Sequence, residues 1–227
     1  AASGGFVGFG DPVYDFDRFR KGEREDVPPG EGGTALRRYA GMAGRLSRLE
    51  ASGDEVRGIE LLFREGKTLL RAEARESYAK GQAMERYGYI HFSMHGILAP
   101  GYQAIAFSQI PGEGEDGLLT LGEIMNLRYN ARLVVRSACQ TGLGRAERGE
   151  GVTGLTRAVM YAGSPAAVVS LWRVDDRGTR ELMTRFYENM IRKEAPKAEA
   201  LRTAKREMIK TRRRHPYFWA AFVMYGE

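Results

Sequence analysis

The chain has 227 residues, enough for one large domain or two small ones with a full hydrophobic core. Hydrophobic residues make up 43% and charged residues 28%, an ordinary globular balance, and no apolar run approaches the roughly 20 residues of a membrane helix. A net charge of +6 leaves nucleic acid to be considered, and a single cysteine, Cys139, excludes an internal disulfide.

A reducing cytoplasm is the setting this composition suggests, and a thiol there is worth examining as a nucleophile. The opening Ala1-Ala2-Ser3-Gly4-Gly5 has no basic and apolar pattern of a secretory signal. Phe6-Val7-Gly8-Phe9 reads as a first strand that leaves through the turn Gly10-Asp11-Pro12. Residues 15–33 are charged, carry Pro28-Pro29-Gly30 and Gly32-Gly33, and read as a mobile surface loop. Ser52-Gly53-Asp54-Glu55 caps a helix whose apolar residues Val56, Ile59, Leu61 and Leu62 run to Phe63. A short strand over 67–71 and a polar helix over 72–84 follow.

The periodicity then changes. Residues 87–94 form a strand, with His95-Gly96 at its carboxyl end, and 104–110 form another, followed by a Gly/Glu-rich loop over 112–117. A helix near 121–127 leads into a buried strand, 131–135, which ends at Ser137-Ala138-Cys139. A glycine-rich stretch, 142–151, precedes a helix through Leu155, Val159 and Met160 that stops at Gly163. Residues 166–171 are a strand running into Trp172-Arg173; helices over 177–193 and 197–213 and a last strand over 218–224 close the chain. Strands alternating with helices predict one α/β domain with a mainly parallel sheet and helices on both faces. The late basic residues Arg202, Lys205, Arg206, Lys210, Arg212, Arg213 and Arg214 interleave with Leu201, Ala204, Met208 and Ile209. That spacing is the solvated face of an amphipathic helix, and no paired stacking aromatics accompany it, so nucleic acid is not the expected partner of this domain.

In such a sheet, functional groups gather beyond the carboxyl ends of the strands. His95 and Cys139 both fall there. Thiol proteolysis needs a thiolate, a base that can also protonate the leaving amine, and donors for the tetrahedral oxyanion. Cysteine supplies the first and histidine the second. Gly96 lets the backbone approach a substrate, and its N–H and that of Cys139 are the candidate oxyanion donors. Two other readings stand beside this one. His91, four residues before His95, is either a packed strand histidine or a supporting partner. His91, His95 and Cys139 also make up a three-ligand zinc set, although no carboxylate or second cysteine completes it. His215, before Pro216, reads as structural.

The run Ile90-His91-Phe92-Ser93-Met94-His95-Gly96, followed by Val134-Val135-Arg136-Ser137-Ala138-Cys139-Gln140-Thr141-Gly142, resembles the CHAT family within the caspase-like clan of cysteine peptidases. Gly8-Phe9-Gly10-Asp11-Pro12, Gly149-Glu150-Gly151-Val152, Ala162-Gly163, Ala167-Val168-Val169-Ser170-Leu171-Trp172 and His215-Pro216-Tyr217-Phe218-Trp219-Ala220-Ala221-Phe222 match in the same order, so the resemblance covers nearly the whole chain. It implies a caspase-like α/β sandwich over residues 1–227 and endopeptidase cleavage of a protein substrate. It also implies a catalytic pair of His95 and Cys139 with no cofactor. Such domains often follow a helical-repeat region that regulates them, which makes such a region, or a partner protein, the expected regulator and this chain a fragment of a longer protein.

Ser170-Leu171-Trp172-Arg173 is similar to the caspase segment whose Trp and Arg line the substrate groove. Arg173 there favours an acidic P1 side chain by bidentate pairing. Asp175 and Asp176 instead suit a basic one, and a core Trp172 with a solvated Arg173 is the plain alternative. A second arginine that caspases carry ahead of the catalytic histidine has no evident counterpart. From a different class, a catalytically silent interaction module fits the same fold, against the presence of both His95 and Cys139. A flavodoxin-like nucleotide binder is disfavoured because Pro12 withdraws a donor N–H from the first loop.

Overall fold

The computed structural model describes residues 4–23, 26–27, 46–99, 101–137, 140–141, 150–172 and 174–227. Cys139, Arg173 and the glycine-rich stretch 142–149 lie outside the described residues. In chain order the elements are β1 (Gly5–Pro12), α1 (Phe16–Lys21), β2 (Asp26–Val27), β3 (Leu46–Ser47), α2 (Glu50–Glu60), β4 (Gly66–Arg71), α3 (Glu76–Ala79) and β5 (Tyr87–Ser93). They continue with β6 (Gly96–Ala99), β7 (Tyr102–Ala106), β8 (Leu118–Thr120), α4 (Leu121–Ile124), β9 (Leu133–Arg136), β10 (Gln140–Thr141) and α5 (Glu150–Tyr161). The last are β11 (Ala166–Ser170), α6 (Asp176–Tyr187), α7 (Lys197–Met208) and β12 (Phe222–Gly226).

Six strands form the main sheet in the order β12-β11-β9-β5-β1-β4. All pairings are parallel except that of β12 with β11. Every residue of β5, β9 and β11 is buried, as expected of strands covered on both faces. Period-2 alternation sends their side chains into two cores. Ile90, Phe92 and Val134 pack with Val7, Phe9 and the α5 residues Leu155 and Val159. Tyr89, Leu133, Val135 and Val168 pack on the other face with Phe6 and with α2, α6 and α7 through Ile59, Leu182, Phe186 and Leu201. The predicted mainly parallel sheet with helices on both faces is the architecture found. Strands β1, β5, β9 and β11 deliver Asp11, His95, Ser137 and Trp172 to one edge, and the β11 strand borders β9 as the order of the chain suggested.

Several elements differ from the sequence reading. The polar helix over 72–84 is two short pieces, α3 and a 3₁₀ turn at Gln82–Arg86, because Gly81 between them is extended, with φ −75° and ψ 150°. Strand β6 begins directly after His95 and opens a second sheet, ordered β10-β6-β7-β8. Helix α4 is shorter than expected and starts at a capping box formed by Thr120 and Glu123. Helix α2 starts at Glu50, which leaves Ser52 inside it rather than at its cap. The α-helical part of 177–193 stops at Tyr187 and continues as a π turn, Glu188–Arg192. Helix α7 ends at Met208, and β12 begins at Phe222 after a 3₁₀ turn at Pro216–Phe218. Within 15–33, α1 is a formed helix: Asp15 accepts from the Arg18 N–H at 3.0 Å, and Gly22 closes the other end at φ 70°. Among the described residues no helix is long and apolar enough to cross a membrane.

Candidate active site

His95 is held at both polar groups of its backbone and at Nε2. Its N–H donates to the Tyr14 hydroxyl at 3.2 Å, and its carbonyl accepts from the Ala106 N–H at 2.8 Å. The ring lies 5.4 Å from that of Tyr14, and Nε2 lies 2.7 Å from the Ser47 carbonyl oxygen. A carbonyl only accepts, so in the neutral ring Nε2 carries the proton and Nδ1 the lone pair. That leaves Nδ1 as the basic nitrogen.

The covalent neighbours of the two candidate catalytic residues pair across adjacent strands. Gln140, which follows Cys139, is the register partner of Gly96, which follows His95, and Thr141 pairs with Ile97. On the other side of the interval, the Ser137 N–H donates to the Phe92 carbonyl at 3.0 Å. Gly96 lies between the two flanking strands, paired with Ile105 of β7 on one side and Gln140 of β10 on the other. The space a side chain would fill at Gly96 is already taken, because a Cβ there would lie 2.5 Å from Nη1 of the buried Arg136. A side chain at position 96 is therefore accommodated only if the end of the Arg136 side chain shifts, whatever a substrate needs.

His91 points elsewhere. It lies on the α2–α6 face of the sheet with both ring nitrogens engaged: Nδ1 is 3.2 Å from the Tyr187 hydroxyl, and Nε2 is 2.7 Å from Glu55 Oε1 and 3.0 Å from Ser137 Oγ. The Ser137 hydroxyl also donates to Glu55 Oε1 at 2.7 Å. All four side chains are buried. This polar knot ties the end of β9 to helix α2 and engages both ring nitrogens of His91, while His95 Nε2 meets Ser47 instead. Among the described residues the one acidic cluster of metal-binding dimensions is Glu76, Glu115 and Glu123. The Lys80 ammonium already contacts all three carboxylates, at 3.4, 2.5 and 2.9 Å.

The CHAT domain family matches residues 7–227. This chain belongs to that family. Tetratricopeptide repeat protein 28 of mouse is 30% identical to it over 112 residues, and the human protein of the same name is 29% identical. Each alignment takes in 48% of this chain but 4% of the relative, so the chain spans a small part of their length. Two solved structures share the fold. The Arg-specific cysteine proteinase gingipain R superposes with a TM-score of 0.57 at 8% identity, covering 98% of this chain and 46% of that one. Separase from the Saccharomyces cerevisiae separase–securin complex gives 0.52 at 14%, covering 100% and 12%. The fold is therefore that of caspase-like cysteine peptidases.

In this CHAT domain the segment after β11 is partly exposed. The Trp172 indole N–H donates to the Tyr217 carbonyl at 3.3 Å, and Ser170 Oγ donates to the Trp172 carbonyl at 2.6 Å. Asp175 caps α6, accepting from the Gly178 N–H at 2.8 Å, and lies 3.8 Å from Arg213. Asp176 accepts from the Ala51 N–H at 2.8 Å and so caps the amino end of α2 across the domain. Burial first, then the charges of Glu55, Asp175 and Asp11, raise its carboxyl to about 6, against the pull of that N–H. Sequence reasoning did not single out Tyr14, Ser47 or Arg48 and read Glu55 only as part of a helix cap, because their partners are distant along the chain. The signal closest to one of them was Asp11-Pro12 at the end of the first strand.

Proposed function

We propose that this CHAT domain is a cysteine endopeptidase in which Cys139 is the nucleophile and His95 its proton-transfer partner. The observation that carries the reading is the pairing of Gln140 with Gly96, which joins the chain immediately after each residue to the same pair of neighbouring strands. The Ser47 carbonyl adds chemical sense, since it keeps the proton on Nε2 and the basic lone pair on Nδ1. In the reaction, the Cys139 thiol gives its proton to Nδ1, and the thiolate sulfur attacks the scissile carbonyl carbon. The carbonyl's π electrons move onto oxygen, where the N–H groups of Gly96 and Cys139 act as donors. Collapse breaks the C–N bond, the imidazolium returns its proton to the leaving amine, and water hydrolyses the thioester by the reverse route. His91 supports the end of β9 through Ser137 and takes no part in proton transfer. Asp175 and Asp176 are occupied as helix caps, which favours a structural role for both over a basic P1 pocket. By the likeness to tetratricopeptide repeat proteins, a helical-repeat region is the expected regulator.

The test is mass spectrometry after treatment with peptidyl electrophiles varied at P1. Labelling is expected on Cys139, absent in Cys139→Ala, and slowed in His95→Ala far more than in His91→Ala. A folded wild-type chain that no member of the series labels would overturn the reading in favour of a silent interaction module. Equal labelling of wild type and His95→Ala would remove His95 from the dyad.

A further inference from the structure

Resting on the reading above, one feature of the carboxyl edge goes beyond it. Strand β1 ends in a bulge: its register with β4 shifts between Gly10 and Pro12, and the residue skipped is Asp11. Asp11 has a positive φ of 44°, and Arg71, at the matching end of β4, has 51°. Neither is glycine, so both hold backbone conformations that their side chains disfavour and that surrounding contacts must enforce. A bulge of this kind re-aims a side chain. Here it turns the Asp11 carboxylate towards two arginines.

Arg48 grips that carboxylate bidentately, Nε to Oδ1 at 2.9 Å and Nη2 to Oδ2 at 2.8 Å. Arg71 adds Nη1 to Oδ1 at 2.8 Å and reaches the Asp11 carbonyl at 3.0 Å, with its guanidinium 5.0 Å from the Phe19 ring centre. The Asp11 N–H donates to Ser52 Oγ at 2.7 Å. The carboxylate is nearly buried, with 9% of the side chain exposed, so the ion pair is screened less than a surface one. The residue before Arg48 is Ser47, whose carbonyl holds His95 Nε2. Ser47 belongs to a two-residue strand that pairs with β2 and is flanked by the buried Leu46, and the Arg48–Asp11 pair is a further anchor next to it.

We propose that Asp11 is a positioning residue for His95: through Arg48 it locks the Ser47 carbonyl in place, and that carbonyl fixes the orientation and tautomer of the imidazole. Arg71 completes the neutralisation and pins the bulge. The effect of Asp11 on His95 is transmitted through one ion pair and one backbone hydrogen bond. Misplacement of a catalytic group by an ångström costs rate by roughly 10²-fold, which sets the scale of the effect.

Two readouts test this on the full chain. Nitrogen-15 NMR of the His95 ring reports directly on the Nε2 proton and its hydrogen bond, whether or not the chain is a peptidase. The rate of Cys139 alkylation by iodoacetamide between pH 5 and 9 reports on the dyad. Asp11→Asn and Arg48→Gln are each expected to lose the protected Nε2–H signal and to slow His95-dependent alkylation by roughly tenfold to hundredfold. The double variant should be no slower than the slower single variant, and Arg48→Lys should recover part of the loss. Asp54→Asn, which breaks the exposed 3.0 Å pair with Arg180, serves as the control for removing a charge from the same region. A folded Asp11→Asn protein that keeps the protected signal overturns the proposal, as does one that loses the signal but alkylates at the wild-type rate while His95→Ala is slow. If His95→Ala does not slow the wild-type reaction at all, the dyad reading fails, and the NMR arm alone decides whether the clamp exists.

Discussion

Replacing Asp176 by Asn separates a structural carboxylate from a substrate-binding one. The Asp176 carboxyl lies between α6 and the amino end of α2, and burial together with neighbouring Glu55, Asp175 and Asp11 raises it from 3.8 to about 6. An acid raised in the folded state is protonated there before it is in the unfolded chain. Between pH 4 and 6 the native state therefore binds more protons, and stability falls as pH rises through that window. Above it, the ionised carboxylate is a constant cost. A rise of about two units at 1.36 kcal/mol each sets a ceiling of about 3 kcal/mol, which partial exposure and screening reduce to about 1–2 kcal/mol. Asp176→Asn removes the charge and keeps an oxygen for the Ala51 N–H. The melting midpoint at pH 7.5 is expected to rise by roughly 3–6 °C, with no gain at pH 4. Calorimetry across pH 4–8 on both proteins measures this. An equal shift at both pH values, or none at pH 7.5, refutes the argument, and loss of basic-P1 labelling would return Asp176 to the substrate groove.

Two further outcomes follow from packing and charge. Gly96→Ala places a methyl against the movable end of the buried Arg136 side chain and should cost about 1 kcal/mol, the low end of overpacking, in urea unfolding, with little added cost when Arg136→Met is already present. Lys80→Met removes the cation shared by Glu76, Glu115 and Glu123. Glu76 already sits at about 7, through burial and then repulsion from Glu123, and loss of Lys80 raises it further. The penalty in melting midpoint should therefore be larger at pH 8 than at pH 5, and millimolar Ca²⁺ should reduce it in the variant alone; an equal penalty at both pH values would refute the charge argument.

The order of strands and helices was legible in the chain because burial on both sheet faces leaves continuous apolar runs, as in Leu133-Val134-Val135 and Ala166-Ala167-Val168-Val169. The adjacency of the strands leading to His95, Cys139 and Trp172 followed from that order. Less legible were the short elements. Gly96–Ala99 carries too few residues for a period to show, and the break at Gly81 interrupts a pattern that otherwise reads as one helix.

What the sequence by itself determined is the family, the α/β architecture and the two candidate reacting residues, since each is written in local patterns and in ordered motifs. The tertiary structure decided what surrounds them. His91 and His95 look equivalent at a spacing of four, yet the chain leaves the sheet at Ser93, so one ring enters the Glu55–Ser137–Tyr187 knot and the other meets Ser47. Asp176 and Asp175 look like free acids after a strand, yet both serve as helix caps. Asp11 meets Arg48 and Arg71 across 37 and 60 residues of chain. Hydrogen bonds and ion pairs of that kind depend on angles and distances set when distant segments pack, and no local pattern in the sequence encodes them.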